Sequence, residues 1–154
     1  MRNFLLPLAS VLTAGLFLTG CGGGVEVGID VSPPPSAAFD LGAKLDGQPL
    51  AGIDVFPGDE QTIQVQTGDV LELDTSGPVS WETVAGSTAG IPTQTGATVI
   101  YQGVAFTETV STPGQLVLAI SASQPLVAPV QMTVYATSLD DAFQTARVDI
   151  VVIR

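Results

Sequence analysis

Histidine is missing from this 154-residue sequence, and lysine and arginine together number only four. Without histidine the chain lacks the commonest general base and the commonest transition-metal ligand, so we expect no enzymatic activity and no cofactor. The four cations stand against fifteen aspartates and glutamates. No basic cluster is available to neutralise a phosphate backbone, and nucleic acid binding is therefore excluded.

Cysteine is also nearly absent, since Cys21 is the only one and no disulfide can form within the chain. It follows a short positive start at Met1-Arg2-Asn3 and an apolar run from Phe4 to Leu18, which is too short to span a bilayer as a helix. A lone cysteine can instead be a buried core thiol, and ordinary secretory cleavage after small residues is a further alternative. The order of positive start, apolar run, small residues and cysteine favours an export signal.

The segment Leu18-Thr19-Gly20-Cys21 resembles the lipobox of bacterial lipoproteins. The resemblance implies a diacylglyceryl group on the Cys21 thiol, cleavage just before Cys21 and acylation of its new amine. More than one acyl chain gives stable anchoring without a transmembrane helix. Enteric bacteria often use aspartate after the cysteine to retain lipoproteins on the inner membrane, so Gly22 implies the outer membrane.

These features predict three regions. Residues 1–20 are a lipoprotein signal peptide, residues 21–37 are the lipidated cysteine and a Gly/Pro-rich tether, and residues 38–154 are one β-sandwich domain. The tether contains Gly22-Gly23-Gly24 and Pro33-Pro34-Pro35. Between them, residues 25–31 alternate apolar and polar side chains, which suits an extended stalk or an added edge strand, and we favour the stalk.

From Ala38 onward the sequence shows short apolar runs of period two and no long helical pattern. Turn signals separate the runs at Asp46-Gly47, Pro57-Gly58-Asp59, Gly68-Asp69 and Pro113-Gly114. We expect a loop over residues 85–96 and, over residues 98–110, one long strand or two strands interrupted by Gly103. The alternating apolar positions are Phe39, Leu41, Ala43, Leu45, Ile63, Val65, Leu71, Leu73, Leu116, Leu118, Ile120, Val130, Met132, Val134, Ala136, Ala146, Val148, Ile150 and Val152.

Residues 68–74 followed by Val79-Ser80-Trp81 resemble the second and third strands of bacterial immunoglobulin-like and PKD-type domains, and residues 132–139 with 145–153 resemble their closing hairpin. The resemblance implies an immunoglobulin-like antiparallel β-sandwich of about seven to nine strands. There is no cysteine pair around Trp81 and no Trp-Asp-Phe-Gly-Asp signature, so no ligand site is carried over. We expect Trp81 to be a core residue.

Pairs of carboxylates are the main candidates for chemistry, because glycosidases use two of them across one bond. The pairs are Asp59-Glu60, Glu72 with Asp74, and Asp140-Asp141. Glu72 and Asp74 alternate with Leu71 and Leu73, which is typical of a solvated sheet face. A serine nucleophile would need Lys44 as its base, and Lys44 lies in an ordinary strand pattern.

A calcium site is a second possibility, because calcium prefers several oxygen ligands. Asp69, Asp140 and Asp141 lie in or near turns that we expect could meet at one pole of a sandwich. Their spacing matches no calcium-loop motif, and solvated loop charge is the simpler interpretation. Ser138 and Asp141 have capping-box spacing, which predicts a single helical turn as another use of the same aspartate.

We therefore expect a lipid-anchored, non-enzymatic structural or interaction module of the cell envelope, held to the membrane through Cys21 and contacting an envelope protein or glycan. A calcium- or glycan-binding module is the alternative, and an exposed Trp81 would favour the glycan version. A carboxylate-dependent hydrolase is the third class.

Overall fold

The computed structural model describes residues 39–154, which contain eleven β-strands joined by turns and loops. No helix long and apolar enough to cross a membrane occurs among these residues. The expected signal peptide, lipobox, tether and alternating segment 25–31 lie outside them. The strands are β1 Leu41–Leu45, β2 Gln48–Val55, β3 Glu60–Gln66, β4 Val70–Thr75, β5 Val79–Ala85, β6 Ile91–Pro92, β7 Thr98–Tyr101, β8 Val104–Thr112, β9 Gln115–Ala122, β10 Val130–Ser138 and β11 Thr145–Ile153.

The strands form two sheets that pack face to face. The six-stranded sheet has the order β2-β1-β4-β9-β8-β7, and the five-stranded sheet has the order β3-β11-β10-β5-β6. Neighbouring strands are antiparallel except β3 and β11, which pair in parallel from Glu60 opposite Arg147 to Gln66 opposite Ile153. The expected all-β sandwich is confirmed.

The alternation seen in the sequence places one face of each strand in a shared apolar layer. The layer includes Leu71 and Leu73 of β4, Phe106 of β8 and Ile150 of β11, all of them fully buried. Trp81 is a core residue, as expected: it is 4 % exposed, and its indole N–H donates a hydrogen bond of 2.8 Å to the carbonyl of Thr112. The polar atom of the ring is thus satisfied while its apolar surface packs.

The Asp46-Gly47 turn is confirmed as the tight connection between β1 and β2. Both residues have positive φ, 49° and 77°, as a two-residue hairpin of this hand requires, and glycine adopts that conformation without strain. The Asp46 side chain also accepts a hydrogen bond of 2.8 Å from the backbone N–H of Val70. The turn therefore ties β2 and β1 to the start of β4.

The second of the two expectations for residues 98–110 is confirmed, because β7 and β8 are two strands interrupted at Gln102-Gly103. Three details differ from the sequence expectation. The structure has eleven strands rather than about seven to nine, and the two-residue β6 lies within the expected loop 85–96. The pairing of β3 with β11 is parallel because the chain leaves the six-stranded sheet after β2 and enters the other sheet beside β11.

We name the two ends of the sandwich after residues near the two ends of β4: the Asp69 end, where β4 begins, and the Pro113 end, where β4 finishes. At the Pro113 end, where β4 finishes, Val79 N–H bonds to the carbonyl of Pro113, Ser76 N–H to that of Asp40 and Leu139 N–H to that of Pro78. At the Asp69 end, where β4 begins, the N–H of Ile120 bonds to the carbonyl of Asp69. The described chain enters at the Pro113 end.

Phe106→Ala tests the contribution of the apolar layer. Removing a fully buried ring leaves a cavity that the two sheets cannot close, so we expect a loss of about 3–5 kcal/mol in the free energy of unfolding, measured by urea denaturation. Val127→Ala, at a side chain that is largely exposed, is the matched control and should change stability by less than about 0.5 kcal/mol. Equal effects from the two variants would contradict this description of the core.

Candidate functional site

Lys44, Glu72 and Asp74 form a charge cluster on the outer face of the six-stranded sheet. The register of β1 and β4 sets Lys44 opposite Glu72, and the Lys44 Nζ lies 2.7 Å from Glu72 Oε1 and 2.7 Å from Asp74 Oδ2. Gln115 Nε2 donates to the same two carboxylates at 2.9 and 3.1 Å. Each carboxylate of this expected pair is thus bonded to a cation and an amide.

The electrostatics of this cluster oppose a catalytic role. Hydrogen bonds to Asp74 and Glu72 raise the pKa of Lys44 above its usual range, so the side chain stays protonated and the neutral amine that a general base requires is disfavoured. Partial burial disfavours the ionised form of Asp74, but hydrogen bonds from Lys44 and Gln115 outweigh it and hold the pKa of Asp74 below its usual range. This arrangement suits an ion-pair cluster between strands rather than the Ser-Lys mechanism considered above.

Arg147 organises a second cluster, on the outer face of the five-stranded sheet. Its guanidinium donates to both carboxylate oxygens of Asp149, at 3.1 and 2.8 Å, and to Glu60 Oε2 at 3.1 Å. Thr133 Oγ1 donates to Asp149 Oδ1 at 2.6 Å. Burial works against ionisation of Asp149, yet the bonds from Thr133 and Arg147 hold its pKa below the usual range. Of the expected Asp59-Glu60 pair, Glu60 therefore faces a cation, while Asp59 Oδ2 accepts the N–H of Phe56 at 3.3 Å.

The three aspartates considered for calcium do not meet, so the expectation that they share one pole is wrong. Asp69 lies at the Asp69 end, where its carboxylate accepts the N–H of Gln66 at 2.7 Å. Asp140 and Asp141 follow β10 at the Pro113 end, and the length of β4, about 20 Å, separates the two places. Residues 39–154 contain no group of three Asp, Glu, His or Cys side chains that could hold a metal ion.

The loop between β10 and β11 uses Ser138 and Asp141 in a turn rather than in a helix. Ser138 Oγ accepts the N–H groups of Asp140 and Asp141 at 3.1 and 3.2 Å, which is half of the expected capping box. In a capping box the Asp141 carboxylate would in turn accept the N–H of Ser138, but here Asp141 Oδ1 accepts the N–H of Phe143 at 3.0 Å. The carboxylates of Asp140-Asp141 thus belong to a surface loop, and the helical turn expected there is wrong.

The most unusual titratable group is one that the sequence analysis missed. Glu108 is 1 % exposed and points into the layer between the sheets, on the same face of β8 as Val104 and Phe106. Its carboxylate accepts a hydrogen bond from the backbone N–H of Gln94, and it takes part in none of the ion pairs found within residues 39–154. Desolvation raises the pKa of Glu108, and the bond from Gln94 offsets this only in part.

Glu108 lies in the wall of a cavity of about 340 Å³ at one side of the sandwich. The cavity opens where β6, the edge of one sheet, faces β7, the edge of the other. Ile91 and Ile100 lie at this place with 48 % and 73 % of their surfaces exposed. The remaining lining residues are Ala85, Thr88, Pro92, Ala97, Thr98, Val99 and Tyr101.

One sequence signal could have identified this site, and the structure adds a second observation. Val104, Phe106 and Glu108 follow period two, so alternation alone assigns the inward face to Glu108. The strand is also irregular, because the pairing of β8 with β9 shifts register between Glu108 and Val110. Such bulges redirect side chains and are common beside functional sites.

In two other cavities the charged lining residues are already bonded to other groups of the chain. The larger, about 760 Å³, lies at the Asp69 end, and its charged lining residue is Arg154, whose guanidinium is already bonded to the carbonyls of Leu126 and Val127. The other, about 440 Å³, is polar and includes Thr133 and Arg147 of the ion-pair cluster. Charged groups in both are occupied by contacts within the chain.

These observations define an all-β sandwich with an ion-pair cluster on the outer face of each sheet and the buried carboxyl of Glu108 beside a lateral cavity. No family model, curated protein or solved structure matches the chain. Its function is therefore argued from its own residues.

Glu108→Gln should change how the free energy of unfolding depends on pH, because the wild-type carboxyl is buried. Because the pKa of Glu108 is higher in the folded than in the unfolded state, its contribution to stability is fully present at acidic pH and is lost as pH rises through the folded-state pKa. Glutamine does not titrate and can still accept from Gln94. We expect the stability of the variant relative to wild type to rise as the pH is raised above 4.5, the ordinary pKa of a glutamate, measured by urea unfolding.

Asp54→Asn is the matched control for this experiment, since it removes one negative charge from an exposed position of β2. A stability difference between Glu108→Gln and wild type that stays constant with pH, or that falls as pH rises, would contradict the assignment of Glu108 as a desolvated acid.

Proposed function

We propose that this chain is a lipid-anchored lipoprotein of the bacterial cell envelope whose sandwich is a non-enzymatic structural or interaction module. The observation that carries the proposal is the order of a positive start, an apolar run and Leu18-Thr19-Gly20-Cys21, which resembles a lipobox. Gly22 after the cysteine favours the outer membrane. The family relationship to immunoglobulin-like or PKD-type domains belongs to the same proposal.

The charge arrangement supports a non-enzymatic role. Lys44 binds Glu72 and Asp74, and Arg147 binds Glu60 and Asp149, so these side chains are engaged in ion pairs across strands. The buried ring of Trp81 offers no stacking surface for a sugar, and the separated aspartates offer no calcium site. The glycan and calcium alternatives lose the features that favoured them.

The position at which the described chain starts is compatible with an anchor at Cys21. Asp40 is fixed at the Pro113 end by two hydrogen bonds with Ser76. Residues 22–38 could reach at most about 60 Å if fully extended, so the sandwich can stand clear of the membrane. Its net negative charge also keeps it away from anionic lipid head groups.

The loop between β10 and β11 supplies a contact surface for an interaction module. Phe143 is 98 % exposed and Leu139 is also exposed, which is unusual for large apolar side chains so close together in the sequence. The loop is held in place by the bonds of Ser138 and Asp141 described above. A positioned apolar tip of this kind suits protein contact.

Cys21→Ser tests the anchor. Serine cannot form the thioether, so we expect the variant to move from the membrane to the soluble fraction of the envelope while the wild type stays with the membrane. Mass spectrometry of the native protein should show an acylated N-terminal cysteine. Membrane retention of the variant, or an unmodified thiol in the wild type, would overturn the proposal.

A photo-cross-linking residue at position 143 tests the interaction surface in intact cells. We expect a discrete protein adduct from position 143 and none from position 127, where another largely exposed apolar side chain, Val127, lies at the Asp69 end. The adduct should disappear when Leu139→Ser is added. Equal adducts at both positions, or none at 143, would argue against this loop as the contact.

A further inference from the structure

We propose that the cavity between β6 and β7 binds a small molecule that carries an alkylammonium group on an apolar body, with the Glu108 carboxylate binding the ammonium. The inference is independent of the lipid anchor, because it rests only on residues of the sandwich.

The position of Glu108 is the first argument. On the inward face of β8, the apolar side chains of Val104 and Phe106 are followed by the carboxylate of Glu108, and such breaks in an apolar pattern concentrate at functional sites. A buried carboxylate is normally paired with a cation. The ion pairs within residues 39–154 do not include Glu108, so an ammonium that entered the cavity would meet a carboxyl with no cation beside it.

A purely structural role does not account for the carboxylate. Its bond to the Gln94 N–H could serve to hold the segment before β7, yet backbone bonds already hold that segment. Gly96 N–H donates to the carbonyl of Glu108 at 2.7 Å, and Glu108 N–H donates to the carbonyl of Ala97 at 2.9 Å. A neutral glutamine could make the same contact with Gln94 without burying a charge.

The walls of the cavity indicate the size and the apolar character of the remaining part of the ligand. Its volume of about 340 Å³ is at the lower end of the range for small-molecule sites, which begins at about 300 Å³. Ile91, Pro92, Val99 and Ile100 provide apolar surface around it, and Tyr101 adds an aromatic ring. An apolar body would therefore bury against the walls while its cationic head meets Glu108.

Tyr101 lines the cavity and lies against Gly86, the residue that follows β5. The Tyr101 hydroxyl packs against Gly86, where an added Cβ would lie 2.6 Å from the oxygen, and Gly86 also has a positive φ of 64°. Glycine is required at this position on both counts. The wall is therefore shaped before any ligand binds, which favours binding of a small, rigid molecule.

Phenethylamine is a suitable probe, since it joins an aromatic ring to an ammonium. We expect it to cause saturable chemical-shift changes in the backbone amides of Ile91, Val99 and Ile100 at pH 7. The changes are followed by ¹H–¹⁵N NMR of the full mature lipidated protein in detergent. Phenethyl alcohol, which lacks the charge, should bind at least tenfold more weakly, and phenylacetate should not bind.

Glu108→Gln should weaken phenethylamine binding at least tenfold, whereas Asp54→Asn should leave it within twofold of wild type. The comparison of amine and alcohol on the wild-type protein keeps the test valid even if Glu108→Gln folds poorly. Equal affinities for amine and alcohol, shifts that map elsewhere, or no saturation at millimolar amine would overturn the proposal.

Discussion

The apolar layer between the two sheets is the constraint on which the rest of the structure depends. The chain has no disulfide to support it, so stability comes from burial, at about 25 cal/mol for each Å² of apolar surface removed from water. Leu73, Phe106 and Ile150 come from three strands in two sheets and meet in this layer. Every strand must therefore keep its register, because a slip of one residue would turn its apolar face to solvent.

This dependence explains how much of the fold the sequence predicts. Alternation at Leu71 and Leu73 marks an inward face, and Asp46-Gly47 marks a tight turn, because both signals are local. The parallel pairing of β3 with β11 depends on which sheet β3 joins, and no local pattern encodes that choice. The two-residue β6 is likewise too short to carry a period.

The candidate sites were harder to predict, because their partners are distant in sequence. Lys44 lies 28 residues from Glu72, and Arg147 lies 87 residues from Glu60, so only the strand order brings each pair together. The sequence could suggest that Glu72 and Asp74 share a face but not that one ammonium lies between them. The same limit explains the error over Asp69, since turn residues look alike whichever end of the sandwich they occupy.

Glu108 belongs both to the buried layer and to the wall of the cavity between β6 and β7. One side of the sandwich is spanned by the short connection from β2 to β3, whereas on the other side the edges β6 and β7 face each other across a cavity. A carboxylate facing the closed centre of the layer would meet only apolar groups. At the open side Glu108 borders the cavity, and the apolar walls there would strengthen its attraction for a bound ammonium by excluding water. We therefore place the proposed ammonium site where the apolar layer is least complete.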